Sequence, residues 1–192
     1  MFGRGSKPSY VIVGLGNPGP SYARTRHNVG AELVERLARG DLKRNRGQMR
    51  ALETEIEGEP VVLGVPTTYM NDSGRPIARL VKKEGIRPDR LLIVQDELDL
   101  PPGRVRFKDG GGTAGHNGLR SIEAALRSRD FLRLRIGVGK PPSKEEGADH
   151  VLSKMSPDDR ELIERSIERG VEAVHVLVRE GLDAAQNLLH AP

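Results

Sequence analysis

The stretch from Tyr10 to Gly30, YVIVGLGNPGPSYARTRHNVG, decides the fold. It opens with β-branched and aromatic residues, the pattern of a short buried strand. Glycine and proline dominate residues 14–20 and force a loop. Thr25 is a candidate N-cap for a helix that continues through Val29 to Leu37. A strand, a glycine loop and a helix start that carries a histidine, His27, are how open α/β sheets place chemistry at the carboxyl edge of their strands.

The glycines in residues 14–19 also match the G-x-G-x-x-G spacing of dinucleotide-binding loops. Such a site requires a helix that opens at the third glycine and an acidic residue at the end of the next strand. Pro20 delays the helix, and the nearest acidic residues, Glu32 and Glu35, lie inside the helix pattern. The spacing therefore does not indicate a dinucleotide site. On this stretch alone, a structural glycine turn with His27 at a helix start remains open.

The composition is that of one ordinary domain. The chain has 192 residues, 36% of them hydrophobic and only 3% aromatic, so the core consists mainly of Val, Leu, Ile and Ala. The absence of cysteine excludes disulfides, a thiolate zinc site and a cysteine nucleophile. The first ten residues, MFGRGSKPSY, contain no apolar segment of a signal peptide, and we expect residues 1–9 to be a flexible N-terminal extension.

The charge and hydropathy patterns restrict the partners. No apolar run approaches the length that spans a bilayer, so we expect a cytoplasmic protein with no membrane partner. The formal net charge is +4 with a pI near 9.6, and basic and acidic residues are interspersed. This balance fits a protein that grips a few phosphates better than one that coats nucleic acid.

Strand and helix patterns alternate along the rest of the chain and predict a single α/β domain with a mixed sheet. Strands are predicted over residues 52–57, 61–63, 91–94, 104–108 and 131–138. Helices are predicted over residues 76–84, 119–126, 158–179 and 183–189, with Asp72 or Ser73 capping the first of these and Ser156 the third.

Several polar groups follow predicted strands. Asn71 lies at a strand-to-helix junction, as His27 does. The most hydrophobic run, Leu91 to Val94, is predicted to be the central strand, and it delivers Asp96, Glu97 and Asp99. Carboxylates at the end of a strand can bind a metal, can orient a catalytic base, or can simply be polar residues where the chain leaves the core. The sequence pattern does not distinguish these three roles.

Two loops are further candidates for function. Glycines crowd residues 110–118, GGGTAGHNG, before a helix, where backbone N–H groups can approach an anion, although a flexible connector fits equally well. The loop lacks the G-K-[ST] of a triphosphate-binding loop. Residues 139–149 form a polar loop that is a candidate lid.

The motifs VGLGNPG, TRHNVG, TYMNDSG, DELDLPPG and GGGTAGHNGLRS occur in this order. Together they closely resemble the bacterial type of peptidyl-tRNA hydrolase, over roughly Tyr10 to His190. The resemblance implies a twisted mixed β-sheet flanked by helices. It also implies a monomeric enzyme that cleaves the ester between a peptide and the 3′ ribose of tRNA, with peptidyl-tRNA as its partner and with no metal or other cofactor.

The resemblance also implies roles for particular residues. His27 is similar to the catalytic base and Asp96 to the acid that orients it. By the same resemblance, the amides that hold the peptide and the reacting carbonyl are Asn17, Asn71 and Asn117. The other residues that line the cleft are Tyr22, Met70 and His116. The pair that binds the tRNA 5′ phosphate is Lys108 and Arg135. The chain departs from the family pattern at Val65, where lysine is frequent, and at Glu97, where aspartate is frequent.

These residue types suit ester hydrolysis. Histidine has an unperturbed pKa of about 6.5 and can activate a water near neutral pH. An amide such as Asn71 can donate to the developing oxyanion, and Asn17 or Asn117 can bond the peptide amide next to the ester. Two alternatives remain: a non-catalytic RNA-binding protein on the same fold, and a metal-dependent phosphodiesterase that uses the carboxylates of residues 96, 97 and 99.

Overall fold

The computed structural model describes residues 7–44, 47–143 and 146–190. Within these residues the strands form a single mixed sheet of seven strands. They are β1 (Tyr10–Gly14), β2 (Lys43–Arg44), β3 (Met49–Ile56), β4 (Glu59–Pro66), β5 (Leu91–Glu97), β6 (Val105–Asp109) and β7 (Leu132–Gly137). The order across the sheet is β2-β3-β4-β1-β5-β7-β6.

The centre of the sheet is parallel and its margins are antiparallel. Strand β1 pairs in parallel with β4 and β5, and β5 pairs in parallel with β7. Strands β3 and β2 on one side and β6 on the other run antiparallel to their neighbours. The prediction that the 91–94 strand is central was wrong by one position, because β1 is the middle strand. The mixed α/β fold is confirmed.

Helices cover both faces of the sheet. They are α1 (Val29–Leu37), α2 (Gly74–Glu84), α3 (Asn117–Leu126), α4 (Gly147–Leu152), α5 (Pro157–Glu180) and α6 (Leu182–His190). Helices α1, α5 and α6 bury residues such as Leu33, Ile167 and Leu189 against one face. Helices α2 and α3 bury Ile77 and Ile122 against the other. No helix in the described part of the chain combines the length and apolar character that crossing a membrane requires.

Two glycines let α1 approach the sheet. A Cβ on Gly14 would lie 2.2 Å from the carbonyl oxygen of Gly30, and a Cβ on Gly30 would lie 2.1 Å from that of Val94. The backbone of Leu15 continues this contact by donating its N–H to Val94 O at 3.0 Å. Because the start of α1 is pressed against the carboxyl ends of β1 and β5, the residues just before α1 lie beside the end of β5.

The helix starts differ in part from the sequence-based prediction. Ser156 caps α5 as predicted, accepting from the Asp159 N–H at 3.1 Å. Thr25 and Ser73 do not cap their helices: their hydroxyls donate instead to Tyr22 O and Met70 O, each at 2.8 Å. Short 3₁₀ turns, Arg26–Asn28 and Met70–Asp72, precede α1 and α2.

Two predicted loops lie partly outside the described residues. Of the N-terminal extension predicted for residues 1–9, residues 1–6 lie outside. At its end Pro8 is buried and Ser9 donates its N–H to Pro60 O at 2.7 Å, which holds this part on β4. Of the candidate lid, residues 144 and 145 lie outside, and residues 147–149 belong to α4 rather than to a loop.

Candidate active site

His27, Asp96 and His116 meet at the carboxyl end of β5. The Nδ1 atom of His27 is 3.0 Å from both carboxylate oxygens of Asp96. The Nε2 atom of His116 is 2.9 Å from the Oδ1 atom of the same carboxylate. Asp96 is 2% exposed and His27 8%, so the carboxylate lies almost entirely within the protein. One buried carboxylate is therefore shared by two imidazoles.

The cluster shifts the acid–base properties of its members. Burial alone would lower the pKa of His27, but the charge and hydrogen bond of Asp96 outweigh it, and the pKa is raised above 6.5. Burial alone would raise the pKa of Asp96, but the imidazoles of His116 and His27 hold that pKa well below its usual range. Asp96 therefore stays ionised, and His27 is a stronger base than an isolated histidine.

Asn17 is fixed by the amide of a residue that the sequence analysis did not single out, Asn28. The Oδ1 of Asn28 accepts the Asn17 N–H, and its Nδ2 donates to the Asn17 carbonyl, each at 2.9 Å. The Oδ1 of Asn17 in turn accepts the Met70 N–H at 2.7 Å. The Met70 N–H fixes the orientation of the Asn17 amide and takes one of the two lone pairs of its oxygen, and the Asn17 NH₂ can donate to a ligand.

The remaining predicted cleft residues lie around this framework. Met70 is buried, and Asn71 beside it on the 3₁₀ turn is exposed. The ring of Tyr22 meets that of Tyr69 edge to face, with centroids 6.2 Å apart. Tyr69 is 60% exposed and was not predicted as a site residue. Its exposure could not be inferred from the sequence, because a single tyrosine is found both in protein cores and on surfaces.

A cleft of about 300 Å³ opens beside the two imidazoles. Its lining includes His27, Asp96, His116 and Asn117, together with the helix α4. Asn17 lines a neighbouring cleft of about 510 Å³ between the glycine loop and Arg50. The backbone connection through Asn28 links the two clefts, because Asn28 follows His27 directly and bonds Asn17.

The predicted phosphate-binding pair lies on the margin of the sheet. Lys108 pairs in register with Arg133, and Arg135 lies two residues further along β7, so both predicted residues share one face. Such diagonal neighbours are separated by roughly 7–8 Å. Arg135 Nη1 is 3.5 Å from the Oε2 of Glu97, which lines the same cleft as His27 and Asp96. Glu97 therefore connects the pair to that cleft.

Comparison with known proteins agrees with this geometry. The peptidyl-tRNA hydrolase family model matches residues 11–192. This chain belongs to the peptidyl-tRNA hydrolase family. It is 45% identical over 194 residues to a peptidyl-tRNA hydrolase of Nocardia farcinica, covering 99% of this chain and 100% of that one. It is 44% identical to that of Vibrio parahaemolyticus over 190 residues, covering 96% and 97%.

A crystal structure of peptidyl-tRNA hydrolase from Acinetobacter baumannii has the same fold. It superposes with a TM-score of 0.92 at 42% sequence identity, covering 97% of this chain and 98% of that one. The resemblance drawn from the motifs is thereby confirmed at the level of family, fold and enzyme class.

Among the described residues, one group could offer three metal ligands: His27, Asp96 and His116. In this structure hydrogen bonds join them, with the bonded atoms 2.9 and 3.0 Å apart.

The three carboxylates of the alternative phosphodiesterase site line one cleft but have different partners. Asp96 bonds the two imidazoles, whereas Glu97 turns to Arg135 and accepts the Asp99 N–H at 3.1 Å. Asp99 is paired with Lys140 at 3.2 Å on the surface. Neighbouring residues on a strand point to opposite faces, which separates the first two carboxylates.

Two buried arginines support the site and were not predicted as site residues. Arg133 donates to Gly112 O at 2.7 Å and to Gly111 O at 2.5 Å, and so braces the glycine loop that leads to His116. Arg26 bonds Ser153 at 2.9 Å and Asp159 at 3.1 Å, and so holds α4 against the 3₁₀ turn that carries His27. Arg26 stands beside His27 in the TRHN motif, and that position is the signal that sequence analysis could have used.

Proposed function

We propose that this member of the peptidyl-tRNA hydrolase family cleaves the peptidyl ester of tRNA with His27 as general base. The observation that carries the proposal is the buried hydrogen bond between His27 Nδ1 and Asp96. With Nδ1 donating to the carboxylate, the lone pair of His27 lies on Nε2. That nitrogen can take a proton from a water while Asp96 stabilises the imidazolium that forms.

We infer that the amides divide the recognition of the peptide end between them. The Asn17 oxygen already accepts one hydrogen bond, from the Met70 N–H, so we assign the Asn17 NH₂ to a carbonyl oxygen of the substrate. We assign the peptide N–H to Asn117, which is exposed at the start of α3 and lines the cleft. Asn71, exposed beside Met70, is the proposed donor to the developing oxyanion.

This division has a consequence for substrate choice. An aminoacyl-tRNA carries an amine in place of the peptide amide and has no peptide carbonyl. It therefore leaves the Asn17 NH₂ without an acceptor, which disfavours it relative to peptidyl-tRNA. Tyr22 and Met70 are proposed to shape the wall against which the peptide lies. Lys108 and Arg135 are proposed to bind the tRNA 5′ phosphate, which positions the substrate without reading its sequence.

The test of this function is release of free tRNA from N-acetylaminoacyl-tRNA. Wild-type protein should release it in the presence of a chelator, and His27→Ala should remain folded with kcat lowered by about 10²–10⁴-fold, the usual contribution of a general base. His175→Ala is the matched control, because the His175 side chain is partly exposed and pairs with Glu57 rather than with a residue of β5. An active His27→Ala enzyme would refute the assignment of the base.

A further inference from the structure

His116 is the N-cap of α3, a position that usually belongs to Ser, Thr, Asp or Asn. Its Nδ1 atom faces the N–H groups of Gly118 and Leu119 at 3.1 and 3.4 Å. The turn before it uses Gly115 at φ +83°, a conformation open to glycine, which directs the imidazole back over the helix start. The ring is thus held by the backbone of α3 on one side.

The other side of the ring faces Asp96, with Nε2 2.9 Å from Oδ1. A backbone N–H can only donate, so Nδ1 must carry a lone pair to accept from Gly118. In a neutral imidazole the proton then lies on Nε2, where it is donated to the carboxylate. The two sets of contacts select the same tautomer independently.

We propose that His116 is a positioning residue, locked as the Nε2-protonated neutral imidazole, whose N–H holds Asp96 in place for His27. The proposal rests on the proposed function. It gives His116 a second role, holding Asp96, in addition to lining the cleft. A second proton on His116 would set an N–H against the N–H of Gly118 at the positive end of α3, which breaks the cap. The proton removed from water therefore goes to His27.

The N–H of His116 also moderates the carboxylate. A donor on Asp96 draws off part of its negative charge, so His27 is less basic than it would be beside an unshared carboxylate. Removal of this donor should raise the pH at which His27 loses its proton. His116 thereby adjusts the acidic limb of the pH–rate profile without touching substrate.

The other charged groups around the cluster are engaged elsewhere or lie at its edge. Arg26, before His27, is directed to α4 and α5, and Glu97 and Asp99 on the β5 side are paired with Arg135 and Lys140. On α4, His150 bonds Gly139 O. Further charged residues on the facing elements are Asp149 of α4, Arg120 and Glu123 of α3, Asp72 of the second 3₁₀ turn and Glu32 of α1. Of these, Asp72 pairs with Arg75, Glu123 with Arg129 and Glu32 with Arg160.

Two variants separate the two contacts of the ring. In His116→Asn the side chain keeps a good N-cap acceptor but is too short to reach Asp96. In His116→Gln the longer amide can still donate to Asp96. We expect His116→Asn to move the acidic limb of kcat/KM upward by roughly 0.5–1 pH unit, to lower kcat about tenfold, and to leave KM within about twofold. His116→Gln should retain the wild-type limb.

A raised KM with an unmoved limb in His116→Asn would show a residue that only lines the cleft and would overturn the proposal. The proposal would also be overturned if the acidic limb of His116→Gln lay at the same pH as that of His116→Asn. An independent measurement is the ¹⁵N NMR spectrum of the histidine rings at pH 7, where Nε2 of His116 should be protonated and Nδ1 not. The opposite tautomer, or a doubly protonated ring, also overturns the proposal. This spectrum needs no turnover, so it decides the tautomer of His116 even if the wild-type protein fails to hydrolyse the ester.

Discussion

At His27, burial and a neighbouring charge act in opposite directions on one imidazole. Burial lowers its pKa, and Asp96 raises it by more, so the acidic limb of the pH–rate profile should lie above the ordinary value of 6.5. Asp96→Asn preserves the shape of the carboxylate but removes its charge. We expect kcat to fall by about 10²–10⁴-fold and the acidic limb to move to lower pH.

The measurement is kcat/KM against pH for wild type and Asp96→Asn. Asp99→Asn is the control, because this carboxylate follows the same strand but pairs with Lys140 on the surface. A limb that moves equally in both variants would attribute the effect to general charge near the cleft rather than to the bond with His27.

Single residues also mark the limit of what sequence predicts. The ordered motifs identified His27, Asp96 and Asn17 as candidates, because their residue types and spacing carry the resemblance. The partners of these groups were not predictable. The Asn17 amide oxygen is taken by a backbone N–H that lies 53 residues away, and no local pattern encodes such a pairing.

At the scale of elements, apolar periodicity predicted the longer strands and helices but missed β2 and α4, and hydroxyl groups misled at helix starts. Thr25 and Ser73 donate to carbonyls three residues earlier, whereas Ser156 accepts at a helix N-terminus. A Ser or Thr hydroxyl can do either, and the surrounding tertiary structure decides. The two 3₁₀ turns next to these hydroxyls carry His27 and Asn71.

Helix α4 depends on Arg26 more than on its own core. None of its residues is fully buried, and Arg26 bonds His150 O, Ser153 Oγ and Lys154 O from its Nη1 and Asp159 from its Nη2. Arg26→Met keeps the packing of the stem but removes these donors. We expect faster hydrogen exchange at residues 147–152, a KM raised several-fold, and a loss of about 1–3 kcal/mol in the free energy of unfolding.

Arg165→Met serves as the control for this prediction, since Arg165 lies on the exposed side of α5 and pairs with Glu161 of the same helix. Exchange at residues 147–152 that is equally slow in Arg26→Met and wild type would contradict the role of Arg26 as the residue that fastens α4. Exchange measured by mass spectrometry resolves this segment from α5.

For the whole molecule, the strand order was the least predictable feature. Strand β1 lies between β4 and β5, and β7 lies between β5 and β6, so sequence neighbours are separated by crossovers. The alternation of strands and helices indicates a mixed sheet, but order depends on contacts between distant segments. This order is what brings the ends of β1 and β5 together and places Asp96 beside His27.

The buried cluster should also make folding stability depend on pH. The pKa of Asp96 is lowered in the folded protein from 3.8, so its contribution is present above that pH and is lost as the pH falls through the folded value. The pKa of His27 is raised from 6.5, so its contribution is present below that pH and is lost as the pH rises through the folded value. Both contributions coexist between about pH 4 and pH 6.5.

We therefore expect wild type to exceed Asp96→Asn in free energy of unfolding by about 1–3 kcal/mol in that window, with a smaller difference on either side. Urea unfolding followed by circular dichroism at a series of pH values measures it. Asp99→Asn should follow the wild-type curve. If the difference in free energy of unfolding between wild type and Asp96→Asn stayed constant from about pH 3 to about pH 9, the cluster would not change its protonation on folding.

The charge on the β6–β7 margin should act on tRNA at a distance from the ester. Loss of one phosphate contact lowers the slope of log affinity against log salt by about 0.7–0.9. We expect Lys108→Ala and Arg135→Ala each to raise KM, to lower that slope, and to reduce the preference for tRNA that carries a 5′ phosphate over tRNA that lacks one. Lys82→Ala on the exposed side of α2 is the control.

Arg135→Ala should have the larger effect of the two. It leaves Glu97 without its cation at the edge of the catalytic cleft, where an unpaired carboxylate repels the incoming phosphates. The double variant Glu97→Gln with Arg135→Ala should therefore recover part of the lost affinity, while Glu97→Gln with Lys108→Ala should not. Equal KM values for both phosphate states in wild type would exclude this pair as the phosphate site, because a site that does not distinguish the group does not bind it.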